Sequence, residues 1–429
     1  MSKPHQKEDP IGYWALIRDY PAWRYLWFGQ IVSLLGDWFN LIASASLLGQ
    51  LTGSGAALGA LFVVRMLAPF LISPFAGVLT DRYNRKHILV WCDILRVVVV
   101  AGFLLVRDAS DVWLLYSLTA VQLAIGGVFF TARRAITPDV VPHRGLGVAN
   151  AIGSATWSVM LAFGAAIGGL AAGTWGIYPA FTIDSATFIF SALLIVKVTY
   201  THAPGIPSDD HSVRAVLRQY ADGIRYLKNS REILAIVLHK PVLLLFLSMM
   251  LEIVQVRISK DIFPIGEGGG ISLGLMYAVS GVGSGLGPIT ARALTGDRVN
   301  AMKVAIFFGY FIGIVGFWII SLLHSFPVVL LGGFVRSFGT GIIWVFSTTL
   351  LLTLVPNEVR GRTFSTEQAG FTLFGAIASA AAGLLIDVFP GIPEMLRWMS
   401  LPAILPAVMW GTWIWRRPRA EVLGDTNPT

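Results

Sequence analysis

Charged residues are scarce in this chain of 429 residues. They make up 13% of the sequence, whereas soluble domains carry roughly 25%, and hydrophobic residues make up 55%. With so few charges, a chain of this length could not cover a water-soluble surface. The composition excludes an ordinary soluble protein and predicts an integral membrane protein.

Other features that the sequence lacks narrow its function. It has one cysteine, Cys92, in an apolar stretch, which excludes a disulfide framework and a thiolate metal cluster. Its histidines show no metal-ligand spacing, and the run Gly-x-x-x-x-Gly-Lys-Ser/Thr of nucleotide-binding loops is missing. No arrangement of a nucleophile with a base can be recognised. We therefore predict no metal, no cofactor and no enzymatic activity.

The net charge is +8, which is typical of nucleic-acid-binding proteins. Here the basic residues lie in short links between apolar stretches, where they determine membrane topology rather than form a phosphate-binding face. We therefore expect the lipid bilayer as a partner, and no nucleic acid.

Twelve stretches of the chain are long and apolar enough to cross a bilayer, which takes about 20 residues as a helix. They are continuously apolar, unlike the short alternating strands of membrane β-barrels. The predicted spans are approximately 25–49, 55–79, 88–106, 112–132, 147–172, 178–198, 233–255, 271–293, 302–323, 327–350, 362–386 and 396–415. The chain is thus predicted to be all-α and integral to the membrane.

Lysine and arginine are distributed unequally between the two sides of these spans. Of 32 such residues, 24 lie in the termini or in links on the side of the N-terminus. The opposite links hold four, which are Arg107, Arg257, Lys260 and Arg397. Because positively charged links stay in the cytoplasm, both termini are predicted to be cytoplasmic, in agreement with the even number of spans.

The longest polar break, 201–231, divides the spans six and six. Its second part has apolar residues at helical spacing among basic ones, which predicts an amphipathic helix on the membrane surface. The predicted organisation is a cytoplasmic N-terminal segment (1–21), a six-helix bundle (22–200), a central cytoplasmic loop (201–232), a second six-helix bundle (233–416) and a cytoplasmic tail (417–429).

The two halves resemble each other. Residues 78–82, after the second span, are similar to residues 293–298, after the eighth. Residues 138–142 precede the fifth span much as residues 354–358 precede the eleventh. One large class of transporters is built from such parallel repeats and holds its substrate between the halves, near the middle of the membrane.

The link between the second and third spans carries the motif Gly77-x-Leu79-x-Asp81-Arg82-x-Asn84-Arg85-Lys86. It resembles the motif found at this place in the major facilitator superfamily, which has Gly where this chain has Asn84. Since Asn tolerates positive φ, we expect Asn84 to adopt the turn that Gly would adopt. The resemblance covers nearly the whole chain and implies the major facilitator fold, with twelve helices in two six-helix halves.

Further segments resemble a bacterial branch of efflux-type facilitators that includes siderophore, macrolide and multidrug exporters. These segments are 29–30, 33–38, 52–54, 133–142 and 356–362. In the fifth span, Gly164, Gly168 and Gly169 resemble the Gly-Pro…Gly-Gly motif of drug/proton antiporters, with Ala165 in place of Pro. The resemblance implies a location in the bacterial cytoplasmic membrane.

The resemblance also implies a conformational latch. Asp81 is expected to face the N-terminus of the eleventh span, where free amides and the helix dipole favour an anion. Arg85 and Lys86 would help to hold the two halves together on the cytoplasmic side, although positive charge in this link would also act as a simple topology anchor. The predicted latch residues are Gly77, Asp81, Arg82, Arg85, Lys86, Arg360 and Arg362.

Charges within the spans are the candidates for coupling, because each costs about 2.5–3.5 kcal/mol to insert and usually faces the bundle interior or a cavity. At about 1.5 Å per residue, Asp37 lies near the middle of the first span and Arg65 at a similar depth in the second. Our hypothesis is that Asp37 takes up the coupling proton while Arg65 modulates its protonation. The alternative is a permanent buried ion pair that only fixes packing.

Three more embedded charges are candidates for the cavity. Arg336, in the tenth span, could bind an anionic group of the substrate or form a structural pair. Asp184 and Glu367 each lie nearer one end of their spans. Asp93 and Arg96 are three residues apart on one helix face, which predicts that they pair with each other.

Taken together, these features predict a monomeric secondary transporter that exports small amphiphilic molecules by alternating access. Protons are the expected coupling ion. The alternatives are an uptake symporter or a lipid-handling transporter of the same superfamily. A non-transporting membrane sensor or scaffold is an alternative of a different class.

Overall fold

The computed structural model describes residues 11–200, 230–296 and 298–415, together with 218, 225, 227 and 228. The predicted amphipathic helix of the central loop lies largely outside the described residues, as do 1–10 and 416–429. Within the described part, the chain is helical and has no strand. This is the all-α structure that the sequence predicts, and a chain surrounded by lipid requires it because helices satisfy their backbone hydrogen bonds internally.

The first half of the chain forms a short helix followed by the helices of six spans. Two of these helices, α6 and α7, are joined into one span by a π-helical turn, Met160–Gly164. The helices are α1 (Tyr13–Asp19), α2 (Pro21–Thr52), α3 (Gly55–Arg82), α4 (Arg85–Gly102), α5 (Val112–Val140), α6 (Leu146–Val159), α7 (Ala165–Thr174) and α8 (Ile177–Val196).

In the second half, the first span is interrupted by π-helical geometry. Its helices α9 and α10 are separated by a π-helical segment, Leu244–Ser248, and a second π-helical segment, Ile258–Ile262, follows α10. The helices are α9 (Arg231–Leu243), α10 (Met249–Arg257), α11 (Gly270–Thr295), α12 (Val299–Ser321), α13 (Phe326–Leu354), α14 (Asn357–Val388), α15 (Ile392–Ser400) and α16 (Ile404–Trp415).

Eleven helical segments of the described chain are long and apolar enough to cross a membrane. They coincide with the first eleven predicted spans. The twelfth predicted span, 396–415, is also helical. It is formed by the end of α15 and by α16, which are separated by a short 3₁₀ turn, Leu401–Ala403.

The link between α3 and α4 differs from the sequence prediction. It contains only Tyr83 and Asn84, and Asn84 has φ −59° rather than a positive φ. Its side-chain oxygen accepts hydrogen bonds from the backbone amides of Lys86 (3.0 Å) and His87 (3.3 Å). Asn84 is therefore the N-cap of α4, a position that Asn favours for a different physical reason from a turn.

Two compact units can be distinguished by their internal contacts. The first comprises residues 1–44 and 68–213, and in it α4 packs against α5 and α8. The second comprises residues 45–67 and 214–429, and in it α13 packs against α11 and α12. The second unit thus includes the turn between α2 and α3, although this turn belongs to the first half of the sequence.

Candidate functional site

In the first unit, Asp37 of α2 is paired with Arg96 of α4. One Arg96 nitrogen, Nη2, lies 3.3 Å from Asp37 Oδ1, and Nη1 donates a hydrogen bond of 3.1 Å to Ser33 Oγ. The Arg96 side chain is only 4% exposed, whereas that of Asp37 is 26% exposed. Asp37 is therefore a partly exposed carboxylate paired with a buried guanidinium. This arrangement suits a residue that binds and releases a proton.

Arg96 also contacts the remaining groups around it. Its Nη1 lies 3.8 Å from Asp93 Oδ1, and its guanidinium stacks 4.3 Å above the ring of Phe188. Asp93 is fully buried. The predicted pairing of Asp93 with Arg96 is found, but Arg96 lies closer to Asp37. One buried cation thus serves two carboxylates on different helices.

Asp184 of α8 lies at the contact between α8 and α2. It is fully buried, and Gln122 Nε2 lies 3.5 Å from its Oδ2. A Cβ built on Gly36 would lie 2.4 Å from Asp184 Oδ1, so only glycine fits opposite this carboxylate. Complete burial and tight packing place Asp184 in the contact between these helices, and its role in transport stays a prediction.

The antiporter-like glycines pack the fifth span against the first. A Cβ at Gly164 would lie 2.6 Å from the Trp38 ring, and one at Gly168 would lie 3.1 Å from the Trp38 carbonyl oxygen. Gly169 is buried beside them. These glycines allow the backbone of α7 to approach α2 directly after Asp37.

In the second unit, Arg336 of α13 contacts the π-helical segment between α9 and α10. Pro241 lacks an amide hydrogen, and the π-helical segment Leu244–Ser248 departs from the regular hydrogen-bond pattern. The Leu247 carbonyl accepts a hydrogen bond of 2.5 Å from Arg336 Nη1, and Ser337 Oγ accepts one of 2.8 Å from Nη2. Arg336 is thus a buried cation fixed against an irregular stretch of helix.

Glu252 of α10 lies beside Arg336 and was not among the predicted site residues. Tyr277 of α11 donates a hydrogen bond of 2.6 Å to Glu252 Oε2. The carboxylate also interacts electrostatically with both Arg336 and Arg65. Glu252 is partly buried. We describe Arg65, Glu252, Tyr277 and Arg336 together as the Glu252 cluster.

The Glu252 cluster gives Arg65 a partner that the sequence did not suggest. Arg65 belongs to the second unit, and Asp37 belongs to the first. The idea that Arg65 modulates Asp37 stays a prediction. The sequence signal that could have identified Glu252 is Pro241 in the same span, because helix irregularities often accompany buried functional groups.

Glu367 of α14 is held in a separate ion pair. Lys240 Nζ lies 3.0 Å from Glu367 Oε1 and 4.9 Å from the centre of the Trp344 ring. Both charged side chains are at most 10% exposed. Their mutual contact explains why these two charges can be buried, without requiring a role in transport.

The predicted latch is described only in part. The side chains of Asp81, Arg360 and Arg362 lie outside the described residues, so the contact between Asp81 and the eleventh span stays a prediction. Arg85 donates hydrogen bonds to Asp139 Oδ2 (2.6 Å) and to the Ala135 carbonyl, both on α5. These bonds fix the α3–α4 link within the first half of the chain.

The remaining latch positions are more open. A Cβ built on Gly77 would meet no atom within 4 Å, and Arg82 is exposed. Lys86 is partly buried, and its backbone amide is capped by Asn84.

Membrane-length helices that bury ion pairs within each compact unit define a multi-pass membrane protein. A family model described as Major Facilitator Superfamily matches residues 26–257, more than half of the chain. The chain belongs to the Major Facilitator Superfamily. It is therefore a membrane transporter and not an enzyme.

Two relatives and one solved structure agree with this assignment. The uncharacterized MFS-type transporter YfiS of Bacillus subtilis (strain 168) is 25% identical over 385 residues, which cover 87% of this chain and 88% of YfiS. Macrolide efflux protein A of Streptococcus pyogenes is 25% identical over 257 residues, covering 57% of this chain and 61% of the relative. The matched region is thus less than two thirds of the efflux protein.

The crystal structure of the nucleoside transporter NupG superimposes with a TM-score of 0.71 at 12% identity, covering 92% of this chain and all of NupG. At this identity the likeness establishes the fold alone. The predicted major facilitator fold is confirmed.

Proposed function

We propose that the chain is a secondary active transporter that exports small amphiphilic molecules across the bacterial cytoplasmic membrane by alternating access. Proton influx supplies the driving force, Asp37 carries the proton, and the protein acts as a monomer with both termini in the cytoplasm. The distribution of lysine and arginine supports this orientation.

The pairing of Asp37 with Arg96 is the observation that carries the proposal. A carboxylate that is partly exposed and faces a buried arginine has two useful states, because ionisation pairs it with the cation and protonation releases that cation. A change in the pairing of Arg96 alters the packing of α4 against α2. Proton binding can therefore be linked to helix movement.

Two further observations support export. The glycines of α7 pack directly on Trp38, next to Asp37, and belong to a pattern resembling that of drug/proton antiporters. One relative is named as a macrolide efflux protein. Macrolides are amphiphilic, and we use them as the first probes of transport.

The test measures transport of radiolabelled macrolides and other amphiphilic antibiotics into inverted membrane vesicles or proteoliposomes with an imposed pH gradient. Compounds are first selected by comparing the resistance of cells with and without the protein. The proposal requires accumulation in the direction of export that depends on the pH gradient and collapses with a protonophore. Accumulation driven by another ion, or in the direction of uptake, would contradict it.

A further inference from the structure

The turn between α2 and α3 is capped by three charged side chains from the second half of the sequence. Asp387 of α14 accepts hydrogen bonds from the amides of Gly55 (2.9 Å) and Ala56 (3.0 Å), at the N-terminus of α3. Since this end of a helix carries partial positive charge, a carboxylate suits it. All of these residues lie within the second compact unit.

The C-terminal end of α2 receives the opposite charge. Arg257 Nη1 donates a hydrogen bond of 2.5 Å to the Gly53 carbonyl, and Lys260 Nζ donates one of 2.5 Å to the Gly49 carbonyl. The carbonyls at the C-terminal end of a helix carry partial negative charge and can accept further hydrogen bonds. The charges around the turn thus match the helix ends that they contact.

The backbones of α3 and α14 also touch at this turn. A Cβ built on Gly59 would lie 2.7 Å from the Ser379 carbonyl oxygen and 2.9 Å from Gly383 Cα. No side chain fits between the helices at this point. This close contact would be lost if α3 moved away from α14 by even a small distance.

The Glu252 cluster lies further along α3, at Arg65. When it is ionised, Glu252 interacts electrostatically with two arginines, of which Arg65 belongs to α3. Ionised Glu252 therefore attracts α3 toward α10 and α13. Protonated Glu252 leaves Arg65 and Arg336 without this shared anion and removes that attraction.

We infer that Glu252 is a second proton-binding residue, and that its protonation releases the turn between α2 and α3 from the second half of the chain. The inference deepens the proton-coupled transport proposed above and rests on it. Ionised Glu252 keeps this end of the transporter closed. Protonation permits it to open, so that proton binding and opening are linked at a site separate from Asp37.

Other groups around Glu252 and the turn must be considered as proton acceptors. Within the described part of the chain, Glu252 faces Tyr277 of α11, Arg336 of α13 and Arg65 of α3, none of which carries a carboxyl group. Among the described residues, the carboxylates beside the turn are Asp387, Asp261, which is paired with Arg257 at 2.9 Å, and Glu267, whose neighbour Gly268 lies against Gln50. Variants must therefore separate Glu252 from Asp387.

The test is a distance measurement by double electron–electron resonance in lipid nanodiscs. Spin labels are placed at Gln50→Cys, on the exposed end of α2, and Val388→Cys, where the native side chain is 77% exposed. Cys92, the single native cysteine, is replaced by Ala. Distances are compared between neutral and mildly acidic pH, so the experiment needs neither a substrate nor a gradient.

We expect one short distance at neutral pH and a growing population at longer distance in acid. Uptake of one proton changes the ratio of the two populations by up to about tenfold per pH unit. Glu252→Gln should show the longer distance at both pH values. Glu394→Gln, at an exposed carboxylate on α15, is the matched control and should keep the response of the unmodified protein.

A second variant tests the inference if the Glu252→Gln protein fails to fold. Tyr277→Phe removes the hydroxyl that donates to the carboxylate, and should move the midpoint of the transition to higher pH by about one unit with the same amplitude. Asp387→Asn should weaken closure but retain the pH response.

The inference is overturned if folded Glu252→Gln protein responds to pH as the unmodified protein does, if Tyr277→Phe leaves the midpoint unchanged, or if the unmodified protein shows no pH response. A response that disappears with Asp387→Asn and persists with Glu252→Gln would assign the proton to Asp387 instead. Failure of proton-driven export with an intact pH response would refute the proposed function and leave Glu252 as a proton-binding residue.

Discussion

Arg96 lies between the carboxylates of α2 and α4, 3.3 Å from Asp37 and 3.8 Å from Asp93. It therefore fixes the geometry of the proposed coupling residue and compensates the charge of a fully buried acid. These two tasks can be separated by experiment, because stability depends on the buried pair, whereas in our proposal coupling depends on the partly exposed Asp37 carboxylate.

Removing the buried cation should destabilise the protein. We expect Arg96→Met to lower the free energy of unfolding by about 3–5 kcal/mol, because it leaves buried Asp93 without its cation. Thermal unfolding in detergent measures this change. Arg18→Met, which removes an exposed pair with Asp19, should leave the unfolding temperature almost unchanged. Equal changes in unfolding temperature for the two variants would show that Arg96 contributes no more to stability than an exposed arginine.

A double-mutant cycle should reveal whether the ion pair of Lys240 and Glu367 contributes only to stability or also to transport. Lys240→Met leaves Glu367 buried without its cation and should cost about 3–5 kcal/mol, whereas Lys240→Met with Glu367→Leu should recover most of that loss. Unfolding of the single and double variants supplies the energies. If the double variant is stable but no longer transports, the pair has a role beyond packing.

The N-cap of α4 distinguishes the two interpretations of Asn84. Asn84→Ala should cost about 1 kcal/mol, and Asn84→Gly only a few tenths, because Asn84 caps the helix at negative φ. If Asn84 occupied a positive-φ turn, Gly would instead be more stable than Asn. Comparing the unfolding temperatures of these two variants decides between them.

The contact between α7 and Trp38 should tolerate no additional side chain. Gly168→Val places a branched side chain where a Cβ already lies 3.1 Å from the Trp38 carbonyl oxygen, and should cost about 1–3 kcal/mol. Gly285→Ala on α11, where a Cβ meets no atom within 4 Å, is the control. Similar stability of both variants would mean that α7 can move away from α2 at little cost.

The sequence predicts the spans well, because continuous apolar stretches have few alternatives in a membrane. It also places Asp37 inside the first span. The partner of Asp37 could not be predicted, since residues 37 and 96 become neighbours only through the packing of α2 on α4. The partner of Lys240 could not be predicted either, since Glu367 is 127 positions away and reaches it only through the packing of α14 on α9 within the second unit.

The buried environment of Glu252 could not be predicted from the sequence for a different reason. Counting residues along a regular helix places it near a span end, in reach of water. The π-helical segment Leu244–Ser248 and the side chains of three other helices create a polar cluster there. Such clusters depend on which helices become neighbours, and helical periodicity in one span contains no information about that.

Asp37 as the coupling residue is the central claim, and Asp37→Asn tests it most directly. The variant is reconstituted with a macrolide or other compound that the unmodified protein transports, and two rates are compared: accumulation driven by a pH gradient, and exchange of labelled for unlabelled substrate without a gradient. Asp19→Asn is the control, because Asp19 also pairs with an arginine but lies on α1, outside the membrane-length helices. We predict that Asp37→Asn loses pH-driven accumulation and retains exchange, while Asp19→Asn keeps both. Undiminished pH-driven accumulation by Asp37→Asn would contradict the account.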